Sequence, residues 1–136
     1  MKKRKGVDGK LDIAWSKLVK LRAGNKCEYC GKRTYLNSHH IYSRSKKSTR
    51  WDVKNGICLC VGHHTFSSTF SAHKTGYEFA KWLDRYKGKE FMELLTIKAN
   101  QISKLHKFEK EILLKELQKE IESYEQIYNK LTDENK

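Results

Sequence analysis

Two short pairs of metal-ligating residue types constrain the fold of this chain more than any other feature. Cys27 and Cys30 form a CxxC pair, and Cys60 and His63 form a CxxH pair, with 29 residues between the two pairs. Structural zinc takes four tetrahedral ligands from cysteine and histidine, commonly as two such pairs. One CxxC arises often by chance, whereas two pairs that bracket a short segment do not. The spacing therefore predicts a closed Cys3His zinc site, whose binding energy would help a small unit to fold.

Two other uses of the cysteines are open. Cys58 could replace Cys60 as a ligand, but only Cys60 has the two-residue spacing to a second ligand. On a strand, Cys58 would lie on the same side as Cys60, where it fits as a small buried residue. A redox-active CxxC is less favoured, because no parallel βαβ pattern surrounds it.

The expected intracellular compartment favours metal binding by the four cysteines over disulfide formation. The basic segment Met1–Lys5 is not followed by an apolar stretch, so it is unlike a secretory signal. No apolar run approaches the roughly 20 residues that a membrane span needs. We therefore expect a cytoplasmic protein without a membrane partner, and in a reducing compartment four cysteines act more often as ligands than as disulfides.

The positive charge lies in the first hundred residues. The formal net charge is +13, with 22 Lys/Arg and 8 Asp/Glu in residues 1–100 against 7 and 8 in residues 101–136. These counts give +14 for the first part and −1 for the second. A basic block of this size predicts a polyanionic partner, with nucleic acid the leading candidate.

One polar loop concentrates basic side chains. Residues 43–54 separate two short candidate strands, and phosphate contacts from such a loop would give affinity without sequence information. We predict that four of its residues contact nucleic acid: Arg44, Lys46, Lys47 and Arg50. A solvated basic loop without a partner is the alternative.

Hydrophobic periodicity predicts a mixed α+β chain. The 136 residues are 38% hydrophobic and 33% charged, which suits a small core plus an extension. We divide the chain into a disordered basic N-terminus over 1–10, a core domain over 11–88 and a helical extension over 89–136. The predicted core elements are a helix from Leu11, strands over 36–41 and 56–59, a helix starting near Val61, and a helix over 77–86.

The C-terminal extension carries an apolar seam. The pattern is helical to about Leu131, with an interruption near Asn100. The seam residues follow a 3-4-3-4-3 spacing, typical of a coiled coil: Leu114, Leu117, Ile121, Tyr124, Tyr128 and Leu131. The seam predicts either a homodimer through this helix or packing back onto Trp82 and Phe91.

Four polar residues remain once the zinc ligands are assigned: the doublet His39-His40, Asn55, and His64 directly after His63. Adjacent strand residues face opposite ways, so His39 and His40 cannot share one role. With the two cysteine–histidine pairs, these residues resemble the HNH (ββα-metal) nuclease family, whose pattern runs CxxC, [DH]-H-I and N-x4-C-x2-C-H. The resemblance covers about residues 11–75, and the run Trp51–Cys60 looks most like phage-encoded members.

The resemblance implies a role for each of these residues. His40 would be the general base that deprotonates a water molecule, and His39 and His64 would ligate a catalytic divalent metal, Mg²⁺ or another divalent cation. Asn55 would hold the loop and the base in position. Products would carry 5′-phosphate and 3′-hydroxyl ends. If the protein is phage-encoded, the host cytoplasm is the expected location.

The third ligand of the catalytic metal departs from the pattern. Some members place a histidine four residues after the metal histidine, where this chain has Ser68. His73 lies nine residues after His64 and could serve if residues 65–72 form an insertion. A structural or DNA-contacting His73 is the alternative.

The expected protein is thus a metal-dependent DNA endonuclease. Its fold would be α+β, with a small zinc-stapled ββα-metal core, flanking helices and a long C-terminal helical extension. Two alternatives explain the charge and the zinc site without catalysis. One is a zinc-binding module that only binds nucleic acid, and the other is a phage assembly or recombination accessory protein.

Overall fold

The computed structural model describes residues 6–134 and has an α+β fold with four α-helices around a two-stranded antiparallel sheet. In chain order the elements are α1 (Val7–Arg22), β1 (Leu36–His40), a 3₁₀ turn (Val53–Asn55), β2 (Gly56–Cys60), a π-helical turn (Gly62–Phe66), α2 (Gly76–Lys87), α3 (Lys89–Ala99) and α4 (Lys107–Glu134). Among the residues described, no helix combines the length and the apolar character that crossing a membrane requires.

Two element predictions need correction. Residues 7–10 were expected to be disordered but form the first turn of α1, where Gly9 is buried and Asp8 favours the helix N-terminus. Residues 1–5 of that predicted segment lie outside the described residues. The helix expected from Val61 is a single π-helical turn, and the next long helix starts only at Gly76.

The sheet places the two predicted strands in one register. β1 and β2 pair with Leu36 opposite Cys60 and His40 opposite Gly56. All five residues of β2 are buried, because α1 covers one side of the strand and α2 covers the other. The strand positions predicted from the sequence are therefore confirmed to within a residue at each end.

Two apolar cores lie on either side of the sheet. The first joins α1, α4 and the loop before β2, and it contains Leu11, Trp15, Leu18, Trp51 and Cys58. The second joins β2, the first cysteine knuckle and α2, and it contains Cys27, Ile57, Leu59, Phe79 and Leu83. Cys58 is thus a fully buried core residue and not one of the four clustered ligands, as the interpretation of it as a small buried residue predicts.

The C-terminal seam packs on α1. Leu117 and Ile121 are buried in the first core, and the Tyr128 hydroxyl donates a 2.8 Å hydrogen bond to the Leu21 carbonyl. Packing onto Trp82 is wrong, because Trp82 belongs to the second core. The interruption near Asn100 is present between α3 and α4. The structure does not test the other hypothesis, a homodimer through this helix, which would use a seam that α1 occupies within the chain.

Candidate metal centres

The four predicted zinc ligands lie together. The ligand atoms of Cys27, Cys30, Cys60 and His63 are all within 4.8 Å of one another. Cys30 Sγ is 3.8 Å from Cys60 Sγ, and His63 Nδ1 is 3.2 Å from Cys60 Sγ and 3.9 Å from Cys27 Sγ. Zn–S and Zn–N bonds of about 2.3 and 2.0 Å give tetrahedral edges of about 3.5–3.8 Å. The cluster therefore fits a metal ion such as zinc.

The first cysteine pair lies on a tight knuckle. The Cys27 N–H donates to the Lys32 carbonyl, and the Gly31 N–H donates to the Cys27 carbonyl, both at 2.8 Å. Gly31 has a φ of 80°, a left-handed conformation that favours glycine. The half-buried Glu28 ties this knuckle to β2 by accepting a 2.7 Å bond from the Cys58 N–H.

Electrostatics at the two knuckle thiols favour a bound cation. Burial raises the pKa of Cys27, but hydrogen bonds from the backbone of Cys60, Cys30 and Tyr29 outweigh it and leave the pKa lowered. Burial raises the pKa of Cys30, and the neighbouring thiols of Cys27 and Cys60 raise it further. Repulsion among close thiolates is what a divalent cation at their centre would relieve.

A second cluster contains three histidines. His39 Nδ1 is 3.1 Å from His64 Nε2, which is 3.0 Å from His73 Nε2, and all three nitrogens lie within 4.8 Å of one another. Adjacent nitrogens on an octahedral ion with bonds of about 2.1 Å lie about 3.0 Å apart. The arrangement therefore fits one metal ion held by three imidazoles, and it brings His73 to the two predicted ligands.

Backbone hydrogen bonds bring His73 into the cluster. The Ala72 N–H donates to the His63 carbonyl at 2.9 Å, and the His73 N–H donates to the His64 carbonyl at 3.1 Å. The segment between the two histidines therefore turns back on the π-helical turn. Ser68 lies exposed on this segment. The segment between the two histidines thus returns His73 to His64.

Burial favours the neutral form of His39 and His64, which is the form that ligates metals. Burial, followed by the charges of the neighbouring histidines, lowers the pKa of His39 to about 3. Burial and then His73 also lower the pKa of His64. A neutral imidazole has a free nitrogen lone pair, so these two side chains are ready to bind an ion at neutral pH.

His40 faces the other side of β1, as strand alternation predicts. Its ring stacks on Trp15 of α1, with centroids 3.7 Å apart and planes at 7°, whereas His39 contacts Phe79 of α2. His40 Nε2 lies 2.9 Å from the Arg50 carbonyl oxygen. Since a carbonyl can only accept, Nε2 carries the proton and Nδ1 is the unprotonated nitrogen of the neutral ring.

Asn55 is fully buried and closes the loop between the strands. Its side-chain amide donates to the carbonyls of Tyr42 and Thr49 at 2.9 and 3.1 Å, and its side-chain oxygen accepts a 2.7 Å bond from the Tyr42 N–H. The Asn55 carbonyl accepts from the Ile41 N–H at 2.9 Å. The amide thus holds both ends of the loop, as its predicted role requires for the loop. The His40 Nε2–H donates to the Arg50 carbonyl, and the side-chain hydrogen bonds of Asn55 go to Tyr42 and Thr49 instead of the predicted base.

The four basic residues of the loop are not equivalent. Arg50 is largely covered and binds Asp12 with two hydrogen bonds, and Arg44 reaches the same carboxylate at 3.4 Å. Lys46 donates to the Asn100 side chain at 3.3 Å, and Lys47 lies on the exposed surface. Arg50 is therefore held within the protein by an ion pair, whereas Lys47 is exposed to solvent. The sequence patterns do not indicate the role of Asp12 as the partner of these arginines. Its position on the amphipathic helix α1 is the one signal in the sequence.

A groove of about 1360 Å³ joins these features. His39, His40, His64 and His73 lie along it, together with Arg44. The opposite side is formed by α2 and α3, with apolar side chains such as Leu83 and Met92. The Thr96 hydroxyl of α3 is hydrogen-bonded to Tyr42, so α3 is anchored to the loop after β1. The groove leaves the histidine cluster open to a large ligand.

Comparisons with known proteins add no family assignment. No protein-family model matches the chain, and no curated protein and no solved structure matches it.

Proposed function

We propose that this protein is a metal-dependent DNA endonuclease of the HNH type, which hydrolyses phosphodiester bonds. The observation that carries the proposal is the convergence of His39, His64 and His73 in a groove that His40 also lines. A closed zinc site needs none of these four histidines. Metal-assisted hydrolysis of a phosphodiester uses ligands for a divalent ion and an oriented, neutral imidazole as the base.

In this proposal His40 is the general base. It would take a proton from the attacking water at Nδ1, because Nε2 already donates to the Arg50 carbonyl. Burial is the main cause that lowers the pKa of His40, which favours the unprotonated ring that a general base needs. A divalent ion, when bound, would neutralise charge on the phosphate and on the departing 3′ oxygen. The family resemblance implies 5′-phosphate and 3′-hydroxyl products.

The three imidazole nitrogens indicate which divalent cation would support cleavage best. Magnesium prefers oxygen ligands, whereas imidazole suits zinc, nickel, copper and iron. With His73 beside His39 and His64, the cluster offers three nitrogens within bonding reach of one ion. We expect Ni²⁺ or Zn²⁺ to support cleavage at lower concentrations than Mg²⁺. Replacement of His73 by alanine should weaken binding of that ion, measured by calorimetry, and leave the Cys3His zinc in place.

The DNA backbone would enter the groove between basic side chains on its two sides. Arg44 and Lys89 both line the groove, with 41% and 89% of their side chains exposed, and Lys47 is exposed on the loop nearby. Their contacts to phosphate would give affinity without base recognition. Sequence specificity is therefore expected to be weak, and binding should weaken steeply as salt is raised.

Cleavage of supercoiled plasmid tests the proposal. The zinc-loaded protein is assayed with Mg²⁺, Mn²⁺, Ni²⁺ or added Zn²⁺ and with EDTA, and the termini of the products are identified by end labelling. His40→Ala should lower the rate by about 10²–10⁴-fold, the usual contribution of a general base. His106→Ala is the matched control, because His106 lies exposed in the link before α4. Its rate should equal that of the wild type.

Three outcomes would contradict the proposal. Cleavage by His40→Ala at the wild-type rate would remove the base assignment. Binding of DNA without cleavage under any of these metals would favour a zinc-binding nucleic-acid module. Failure to bind DNA at all would leave the accessory assembly role.

A further inference from the structure

The carboxylate of Asp12 accepts hydrogen bonds from side chains of the loop over residues 43–54. It accepts two hydrogen bonds from the Arg50 guanidinium, at 3.1 and 2.8 Å, and one from the Trp51 indole N–H at 2.8 Å. Both partners of the ion pair are shielded, with side-chain exposures of 18% for Arg50 and 16% for Asp12. A two-point arginine–carboxylate pair of this kind fixes orientation as well as charge.

The same arginine supplies the carbonyl that orients His40. The Arg50 oxygen accepts the His40 Nε2–H at 2.9 Å, so the guanidinium held by Asp12 and the carbonyl held by His40 belong to one residue. Trp15, three residues after Asp12 on α1, stacks on the His40 ring. The Trp15 indole N–H donates to the Asp52 carbonyl at 2.8 Å, which ties the loop to α1 a second time.

We propose that Asp12 is a positioning residue for His40, which it orients by holding Arg50 so that the Arg50 carbonyl receives the His40 Nε2–H. This inference rests on the proposed function, since the oriented ring is the base of that reaction. It also assigns Arg50 to the geometry of the site, in place of the DNA contact predicted from the sequence.

Loss of the carboxylate should affect turnover and spare DNA binding. In Asp12→Asn the Arg50 guanidinium loses its charged acceptor. The Arg50 carbonyl, which accepts from His40, then becomes free to move. Misplacement of a catalytic group by about 1 Å can cost on the order of 10²-fold in rate. We expect kcat to fall by about 10- to 100-fold while KM for DNA stays within about twofold. Because a negative charge is removed from a basic surface, any change in DNA affinity should be toward tighter binding.

Asp8→Asn is the matched control. Asp8 lies one turn earlier on the same helix and pairs at 2.9 Å with Lys110 of α4, whose ammonium lies 5.6 Å from the centroid of the Trp51 ring. Both substitutions remove one negative charge from α1, but only the one at position 12 touches Arg50. Arg50→Lys provides a second test, since lysine keeps the charge and loses the fork, and it should lower kcat as Asp12→Asn does. Asp12→Glu should restore part of the rate.

Proton NMR of the zinc-loaded protein gives a readout that does not depend on cleavage. An imidazole N–H held by a carbonyl exchanges slowly with water, and the His40 signal is identified by its absence in His40→Ala. The signal should persist in the wild type and in Asp8→Asn and should be lost in Asp12→Asn and Arg50→Lys. Retained zinc and cooperative melting in these variants establish that they are folded.

The outcomes separate this inference from the proposed function. If the wild type cuts no DNA but the signal is lost only in the position 12 and 50 variants, Asp12 orients His40 and the endonuclease proposal fails. If the wild type cuts DNA and Asp12→Asn keeps both the signal and the wild-type kcat, the positioning role is overturned. Weaker DNA binding by Arg50→Lys with unchanged turnover would likewise return Arg50 to the DNA contacts.

Discussion

Gly56 allows α1 to approach the sheet, and replacing it with alanine should separate the two. A Cβ at this position would lie 2.3 Å from Val19 Cγ2 and 2.9 Å from Trp15 Cζ2. Ordinary contact begins at about 3.4 Å, so α1 would have to move by about 1 Å. Gly56 has φ −118° and ψ 147°, an extended conformation that alanine adopts freely. The expected loss is therefore steric.

The size of the loss follows from the packing of the core. Extra methyl groups in a well-packed core typically cost about 1–3 kcal/mol in the free energy of unfolding. For a domain of this size, 1 kcal/mol corresponds to a fall in Tm of about 4 °C. Gly56→Ala should therefore melt about 4–12 °C below the wild type. Because Trp15 moves with α1 and stacks on His40, the proposed cleavage activity should also fall.

Thermal unfolding followed by circular dichroism, with zinc present throughout, measures this change. Gly76→Ala is the matched control, since Gly76 starts α2 and a Cβ there would meet nothing within 4 Å. Alanine is the better helix former, so this variant should melt at or slightly above the wild-type temperature. If Gly56→Ala melts with the wild type while Gly76→Ala behaves as expected, the close approach of α1 to β2 is wrong.

Four further results are expected. Cys30→Ser should release zinc and unfold the protein, since zinc binding energy in such sites is folding energy; a folded, zinc-free variant would contradict this. Leu117→Ala should cost about 2–5 kcal/mol in chemical unfolding, whereas Ile112→Ala, at a half-exposed position on α4, should cost less than about 0.5 kcal/mol. Burial, followed by the hydrogen bond to Glu28, raises the pKa of Tyr86 to about 12. The folded state therefore holds this proton more tightly than the unfolded state, so the wild type should lose stability relative to Tyr86→Phe between about pH 10 and 12; a difference that is constant with pH would refute this. Sedimentation velocity should show a monomer, because α1 covers the seam of α4, and a dimer would restore the coiled-coil hypothesis.

Local patterns in the sequence predicted both strands, most of the helices and the chemistry of the ligands. The spacing of Cys27, Cys30, Cys60 and His63 predicted a cluster that the structure brings together. Strand alternation predicted that His39 and its neighbour face opposite ways. These inferences succeed because ligand preference and strand pleat are properties of residues a few positions apart.

Only the tertiary structure decided the partners of distant side chains. His73 joins His39 because residues between the histidines turn back through backbone hydrogen bonds. Arg50 binds the carboxylate of Asp12, 38 positions away, a partner that no local pattern in the sequence indicates. The seam of α4 meets α1, although its heptad spacing suited a second chain equally well. A charged residue or an apolar stripe determines which kind of partner it binds favourably. Which particular partner it contacts depends on the packing of the whole chain.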